Sequence, residues 1–387
     1  MNNNKFKICL FTGAGFLKPF GLPTMKEFLA DIYNHVHSLQ NEFSDIFDLI
    51  LRSKFYGFSN NAPNSFGTEE VKILLQNEDL ESILEFINLQ ERELDSFIYL
   101  ISYVNYDMGT KRFFSQNFPL YTNSSSRKSL VDAKGRDAFK KKITKLKGTI
   151  KKYIANRCWS FNEIKIKTLL VPFFDSLFRS IEPCTWVFTT NYDLIIENYC
   201  RLTETELICG FKHSTKHPEG IWSPQEFLTN TDEKTIKLVK IHGSCDLYEI
   251  KGNICRIPAQ VSEFSAADVN PESLLIYPAE KGDVFSKTPF KELFRLFRDV
   301  LLNDVDGCII IGYSFRDEII RDVFSNALDR KKIFMLIIHP NASRIVEEFF
   351  SKHKSRIVPI NIKFEETELA EIKRESYLFF NKLRLKQ

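Results

Sequence analysis

The sequence predicts an open α/β sheet, mostly parallel and doubly wound, carrying a large helical insertion. Three observations predict it. Six short runs rich in β-branched and aromatic residues, "FKICLFTG", "TWVFTTN", "IKLVKIHG", "GCIIIGY", "IFMLIIHP" and "IVPINIKF", are almost continuously apolar, as strands covered on both faces are. Helical patterns such as "PFKELFRLFRDVLLND" and "DEIIRDVFSNALDR" lie around and between the later runs, which is the alternation of an open parallel sheet. From about Met25 to Ile181, by contrast, helical periodicity dominates and no second strong strand interrupts it.

Taken in order, the first run ends at Gly13-Ala14-Gly15, with Gly21 and Pro23 soon after. A strand entering such a turn and then a helix lets backbone approach a pyrophosphate, with helix-terminal N–H groups as donors. The spacing is not that of an ordinary dehydrogenase. The third glycine of that fingerprint would fall at Lys18, and no strand ending in an acidic residue follows at the βαβ distance. The helical stretch 25–181 reads as a separate subdomain, with residues 1–24 and 182–387 forming the sheet domain. Its clearest amphipathic pattern is "EDLESILEFINLQERELDSFIYLISYV". Residues 123–157 are rich in Lys and Arg. They read either as an electropositive face for nucleic acid or an acidic partner, or as an ordinary solvated helix.

Composition narrows the class without choosing a function. The 387 residues are 43% hydrophobic and 27% charged, a globular balance, and the formal net charge of +3 neither requires nor excludes a nucleic-acid partner. The eight cysteines include no C-x-x-C pair, so reduced, mostly buried thiols are expected rather than a disulfide framework or a zinc ribbon. No metal site is apparent. The apolar run after "MNNNKFK" is too short for a signal peptide, and no run is long enough to span a bilayer. A soluble cytoplasmic protein without a membrane partner is expected. No G-x-x-x-x-G-K-[ST] motif occurs.

Three later strands also end in polar loops: "TTNYD" at 189–193, "KIHGS" at 240–244 and "GYSFRD" at 312–317. Ligands of open α/β sheets bind outside the carboxyl ends of the strands. Each loop alone has an ordinary explanation: Asn191 as a turn residue, His242 as a satisfied structural histidine, Gly312-Tyr313-Ser314 as a tight turn. Four such loops together point to one ligand crevice.

In this order "GAGF...GLPT", "TTNYD", "HGS" and "GYSFRD" resemble the sirtuin-like, Rossmann-like NAD-binding fold in its bacterial antiphage-defence branch. The resemblance implies that Gly13, Ala14, Gly15 and Phe16 line the phosphates and ribose of NAD+. It implies that Thr190, Asn191 and Asp193 face the nicotinamide ribose, and that His242 takes the place of the catalytic histidine. Gly312, Tyr313 and Ser314 would contact the diphosphate or ribose, and "HPN", with Asn341, would lie near the adenosine. Two departures stand out. Leu17 occupies the position where the family usually has serine, and the four-cysteine zinc module of classical deacylases has no counterpart. The second departure favours hydrolysis of NAD+ as substrate over protein deacylation.

The chemistry suits the proposed residues. Breaking the nicotinamide–ribose bond leaves an oxocarbenium-like sugar, which needs nearby negative charge and a delivered water. Asn191 can orient the carboxamide or the water, Asp193 can accept from ribose hydroxyls, and His242 can take up a proton. The catalytic set expected is therefore Asn191, His242 and Asp193. Deacylation, an NAD- or ADP-ribose-binding sensor without turnover, and a purely structural α/β subunit are the alternatives. An NAD hydrolase also needs restraint. No sensor domain, nuclease motif or P-loop is recognisable, so the restraint is expected from a separate sensor or activator, such as a HerA-type ATPase or a short Argonaute, or from homo-oligomerisation.

Overall fold

The structure is a computed structural model that describes residues 5–38, 47–48, 50–51, 54, 73–75, 78, 80–92, 133–179, 181–182, 184–212, 220–229, 234–250, 252–257, 288–331 and 333–384. In chain order its strands are β1 Ile8–Thr12, β2 Cys184–Thr189, β3 Glu206–Ile208, β4 Phe211–Lys212, β5 Ile221–Trp222, β6 Thr235–Lys240, β7 Leu247–Ile250, β8 Asn253–Arg256, β9 Gly307–Ile311, β10 Phe334–Ile338 and β11 Ile357–Ile360. The helices are α1 Met25–Ser38, α2 Leu80–Arg92, α3 Ala133–Cys158, α4 Glu163–Lys165, α5 Val171–Leu177, α6 Ile195–Thr203, α7 Phe290–Asn303, α8 Glu318–Arg330, α9 Ala342–Phe349 and α10 Leu369–Arg384.

Seven strands form one sheet in the order β11-β10-β9-β1-β2-β6-β3, with every neighbouring pair parallel. All six apolar runs are strands of this sheet. The seventh, β3, is only three residues long at the edge, too short to show a periodicity. Successive side chains point to opposite faces of a strand, and here both faces are covered. Ile8, Leu10, Leu238, Ile309, Leu336 and Val358 join Phe174, Tyr199 and Phe379 in one apolar cluster, against α5, α6 and α10. Cys9, Phe11, Val239, Ile310 and Ile337 join Phe297, Phe324 and Val346 in the other, against α7, α8 and α9. Phe11 is fully buried, with ring centroids 4.8–5.3 Å from those of Tyr313, Phe297 and Phe324. Burial of one such side chain contributes about 2–3 kcal/mol.

A second, four-stranded sheet in the order β4-β5-β8-β7 is antiparallel. It was not anticipated from the sequence, because two of its strands are two residues long. Its neighbourhood supplies Phe211, Phe227 and Leu247 to the second apolar cluster.

The described residues divide into two compact units. One contains the residues up to Thr24 and those from Ile154 on; the other lies between Met25 and Tyr153. The stretch 154–177, grouped with the helical region on periodicity, lies in the unit that contains the sheet. Ile166, Leu169, Leu170, Phe173 and Phe174 are buried in the core on one sheet face, and burial rather than local pattern decides membership. In the other unit α1 and α2 pack together, and α3 buries Ile143, Leu146 and Ile150 at helical spacing. Lys140, Lys141, Lys145 and Lys152 of α3 are exposed, as on a solvated face. Residues 93–132, which include the end of the amphipathic pattern and the start of the basic run, lie outside the described residues.

Candidate active site

The strands whose loops were singled out are adjacent: β9, β1, β2 and β6. From β1 the chain builds outward through β2, then crosses back to β9 on the other side of β1, so strand order reverses between β1 and β9. That reversal opens the loops on either side of it and is where an open α/β sheet places a ligand.

The glycine turn is built differently from expectation. The chain after Gly13 forms two short 3-10 turns, Ala14–Phe16 and Lys18–Phe20, and the first α-helix begins only at Met25. Gly13 N–H donates to the Ile311 carbonyl and Gly15 N–H to the Gly312 carbonyl, both at 2.9 Å. A Cβ on Gly13 would lie 2.7 Å from the Tyr313 ring, and one on Gly15 would lie 2.8 Å from Gly312 Cα. The glycines therefore let two loop backbones touch across the reversal point, and their N–H groups are spent on that contact. Their N–H groups are thus engaged within the protein, and any part these glycines have beside a ligand is to line it rather than to donate to it.

Phe16 and Tyr313 also turn inward. Phe16 is buried against Phe20 and Phe364, and Tyr313 lies edge-on to Phe11, so both side chains belong to the core. Leu17 is buried in the same apolar cluster as Phe16, which explains a leucine where a hydroxyl was expected. Phe315 holds a left-handed backbone at φ 59°, unusual for an aromatic residue. Packing against Tyr313, Phe324 and Phe350 and a bond from Arg321 to its carbonyl hold it there.

The loop after β2 is tied to β1. Thr12 and Thr189 are register partners whose hydroxyls meet at 2.8 Å, and Thr189 Oγ1 accepts from the Asn191 backbone N–H at 3.0 Å. Thr190 N–H donates to the Thr12 carbonyl at 3.2 Å. The Asn191 side chain, nearly buried, donates from Nδ2 to the Gly13 carbonyl at 3.0 Å. That contact orients the amide and leaves Oδ1 as its accepting atom. Ala14 and Ser314, half-buried, flank this region on the two neighbouring loops. Asn341 is exposed at the start of α9, after β10, with its N–H bonded to His339 Nδ1. Burial and the nearby Arg316 hold the His339 imidazole below its ordinary range.

The loop after β6 is zipped to the loop after β2. Ile241 N–H donates to the Thr189 carbonyl and Cys245 N–H to the Tyr192 carbonyl, at 2.9 and 3.0 Å. Lys240, buried at the end of β6, binds the Asp193 carbonyl oxygen, donates to Ser244 Oγ at 2.9 Å and pairs with Glu197 Oε1 at 2.8 Å. Arg256 completes the cluster, 2.9 Å from Glu197 and 2.6 Å from Asp246. Burial pushes Asp246 up, but Arg256 and Lys240 outweigh it and hold the carboxyl below its usual range. Beside the cluster lies a small cleft, partly open to solvent and lined by Glu197, Cys209, Ser244 and Arg256 among others.

Of this cluster only Lys240 and Ser244 were quoted in the sequence, within "KIHGS" and without a role, and Glu197, Asp246 and Arg256 were not singled out. The available signal was a lysine inside an apolar strand run, "IKLVKIHG", since a lysine buried on a covered strand needs counter-charges. Asp317 was quoted in "GYSFRD" without a role. Its Oδ2 lies 3.5 Å from Nε2 of His242, and both side chains are 8% exposed.

Asp193 is buried with its Oδ1 accepting from Ile195 N–H at 2.8 Å. Burial pushes its carboxyl up to about 6, against the pull of Lys240 and of that hydrogen bond. Because the folded state holds this proton more tightly than the unfolded chain, its contribution favours folding at low pH. It is lost as pH rises from about 4 through about 6, a swing of about 3 kcal/mol. Asp193→Asn keeps the accepting oxygen and removes the charge. It is expected to match the wild-type Tm at pH 3, where both states hold the proton, and exceed it by several degrees at pH 7.5. Thermal melts at both values check this, and an equal offset at the two would contradict it.

Burial pushes the Cys158 and Cys245 thiols up, so neither is an activated nucleophile. Among the described residues no cluster of His, Cys, Asp and Glu is arranged to hold a metal, and no helix is long and apolar enough to cross a membrane.

No curated protein matches the chain. Residues 185–358 match the family model described as SIR2-like domain, a segment that begins in β2, ends in β11 and contains the loops of Asn191, Asp193, His242 and Asp317. Over this segment the chain is similar to SIR2-like domains, which use NAD+.

Proposed function

We propose that this chain is an NAD+ glycohydrolase that cleaves NAD+ to nicotinamide and ADP-ribose. The observation that carries the proposal is that Asn191, Asp193 and His242 stand on adjoining, hydrogen-bonded loops at the carboxyl ends of β2 and β6, with Asn191 bonded to Gly13 beside the strand-order reversal, within a segment similar to SIR2-like domains. In the reaction the C1′–N bond breaks and its electron pair passes to the nicotinamide nitrogen. A water oxygen bonds to C1′, and the water's proton leaves through His242. Asp193, ionised above about pH 6, supplies negative charge for the oxocarbenium-like sugar. Asn191 Oδ1 accepts from the attacking water or the departing carboxamide.

Incubating the purified chain with NAD+ and resolving the products by mass spectrometry tests this. Wild type is expected to release nicotinamide and ADP-ribose, and Asn191→Ala to be slower by about a hundredfold or more while keeping its fold. Tight NAD+ binding without turnover would instead make the chain a sensor. The biological setting comes from the motif resemblance alone: a cytoplasmic, oligomeric effector of bacterial antiphage defence, restrained by a separate sensor or activator and acting by NAD+ depletion. NAD+ levels in phage-challenged cells carrying wild type or Asn191→Ala test that setting.

A further inference from the structure

The strands that carry His242 and Asp317 are three positions apart in the sheet, about 14 Å at ordinary strand spacing. Their side chains nevertheless meet at 3.5 Å, both nearly buried. The two loops therefore reach toward each other past the ends of β1 and β2, the strands that lie between theirs. At 3.5 Å the ring nitrogen and the carboxylate oxygen are joined by the carboxylate's charge rather than by a fully formed hydrogen bond.

Asp317 uses its two oxygens differently. Oδ1 accepts the N–H groups of Ile319 and Ile320 at 3.1 and 3.4 Å and so caps α8, while Oδ2 faces Nε2 of His242. A nitrogen lone pair directed at a carboxylate oxygen would be repelled, so the neutral ring places its hydrogen on Nε2. We propose that Asp317 is a positioning residue that holds His242 as the Nε2–H tautomer and leaves Nδ1 as the ring's proton-accepting nitrogen. Once that nitrogen is protonated, the same carboxylate stabilises the imidazolium. For its catalytic consequence the proposal rests on the hydrolase assignment; the tautomer itself does not.

Asp317→Asn separates the two roles of the residue. An asparagine caps a helix as well as an aspartate does, but its carbonyl must then face Ile319 and Ile320, which turns Nδ2 toward His242. Nε2 becomes an acceptor and the hydrogen moves to Nδ1. Ring 15N chemical shifts, recorded where the imidazole is neutral and assigned by the signal missing in His242→Asn, are expected to show Nε2–H in wild type and Nδ1–H in Asp317→Asn. Hydrolysis is expected to fall about a hundredfold in kcat with KM nearly unchanged, as when a base is held in the wrong tautomer. Thermal stability is expected to stay at the wild-type value, whereas Asp317→Ala loses the cap as well and melts several degrees lower.

An unchanged tautomer signature in Asp317→Asn overturns the proposal, whether or not the chain hydrolyses NAD+. An inverted signature with an undiminished kcat overturns the assignment of Nδ1 as the working nitrogen. A wild type that shows Nε2–H yet leaves NAD+ intact would support the pairing and remove the hydrolase assignment alone.

Discussion

Lys240→Met is expected to cost about 3–5 kcal/mol of folding stability, the penalty for removing one partner of a buried charge cluster. Methionine matches the length of the lysine stem, so lost packing contributes little. The cost arises from what the ammonium leaves behind: the Asp193 carbonyl without that donor, Ser244 Oγ without its 2.9 Å contact, and Glu197 with Arg256 as its remaining cation in the cluster. The same ammonium joins the loop carrying Asp193 to the loop carrying His242, so hydrolysis is expected to fall with stability. Urea unfolding followed by circular dichroism measures the first effect. A midpoint within experimental error of wild type would show that the cluster contributes nothing. The double variant Lys240→Met with Glu197→Leu is expected to be less destabilised than the sum of its single changes, because removing both members leaves no stranded charge between them.

Gly312→Ala is expected to be nearly as damaging for a different reason. Gly312 has φ 66°, and an added Cβ would lie 2.3 Å from the Phe16 nitrogen and 2.4 Å from the Gly15 carbonyl carbon. These are backbone atoms of the facing loop and cannot rotate away. The left-handed conformation alone costs an alanine about 1–2 kcal/mol, and the overlap adds the displacement of one loop from the other. Gly21 supplies the control. It also has positive φ, at 83°, but its Cβ would meet nothing within 4 Å, so Gly21→Ala is expected to cost only about 1 kcal/mol. Equal losses from the two substitutions, measured by thermal melts, would show that the contact between the loops is not what requires Gly312.

Much of the sheet, and the edge that carries the candidate loops, were legible in the sequence because they depend on short-range chemistry. A strand covered on both faces must be apolar at nearly every position, so "GCIIIGY" and "IFMLIIHP" announce themselves without a partner in view. Parallel strands expose their carboxyl ends on one side, so polar loops following such runs mark a common edge. That is how "TTNYD", "KIHGS" and "GYSFRD" could be grouped before any contact was known.

What only the tertiary structure decided is which groups meet across that edge. Glycines at 13 and 15 look the same in sequence whether the backbone approaching them is a ligand's or the protein's own; here it is the loop of Gly312. Phe16 and Tyr313 sit within site motifs, yet neighbouring aromatic rings draw them into the core. Lys240 binds the carbonyl of a residue 47 positions earlier, and Arg256 binds Glu197 across 59. His242 and Asp317 come from strands that are not neighbours at all. Periodicity and turn chemistry act over a few residues, whereas charge pairing and close backbone approach are set by how strands order themselves in the sheet. The sequence by itself therefore determined the strands and the loops at their ends, and the strand order determined the partners within the site.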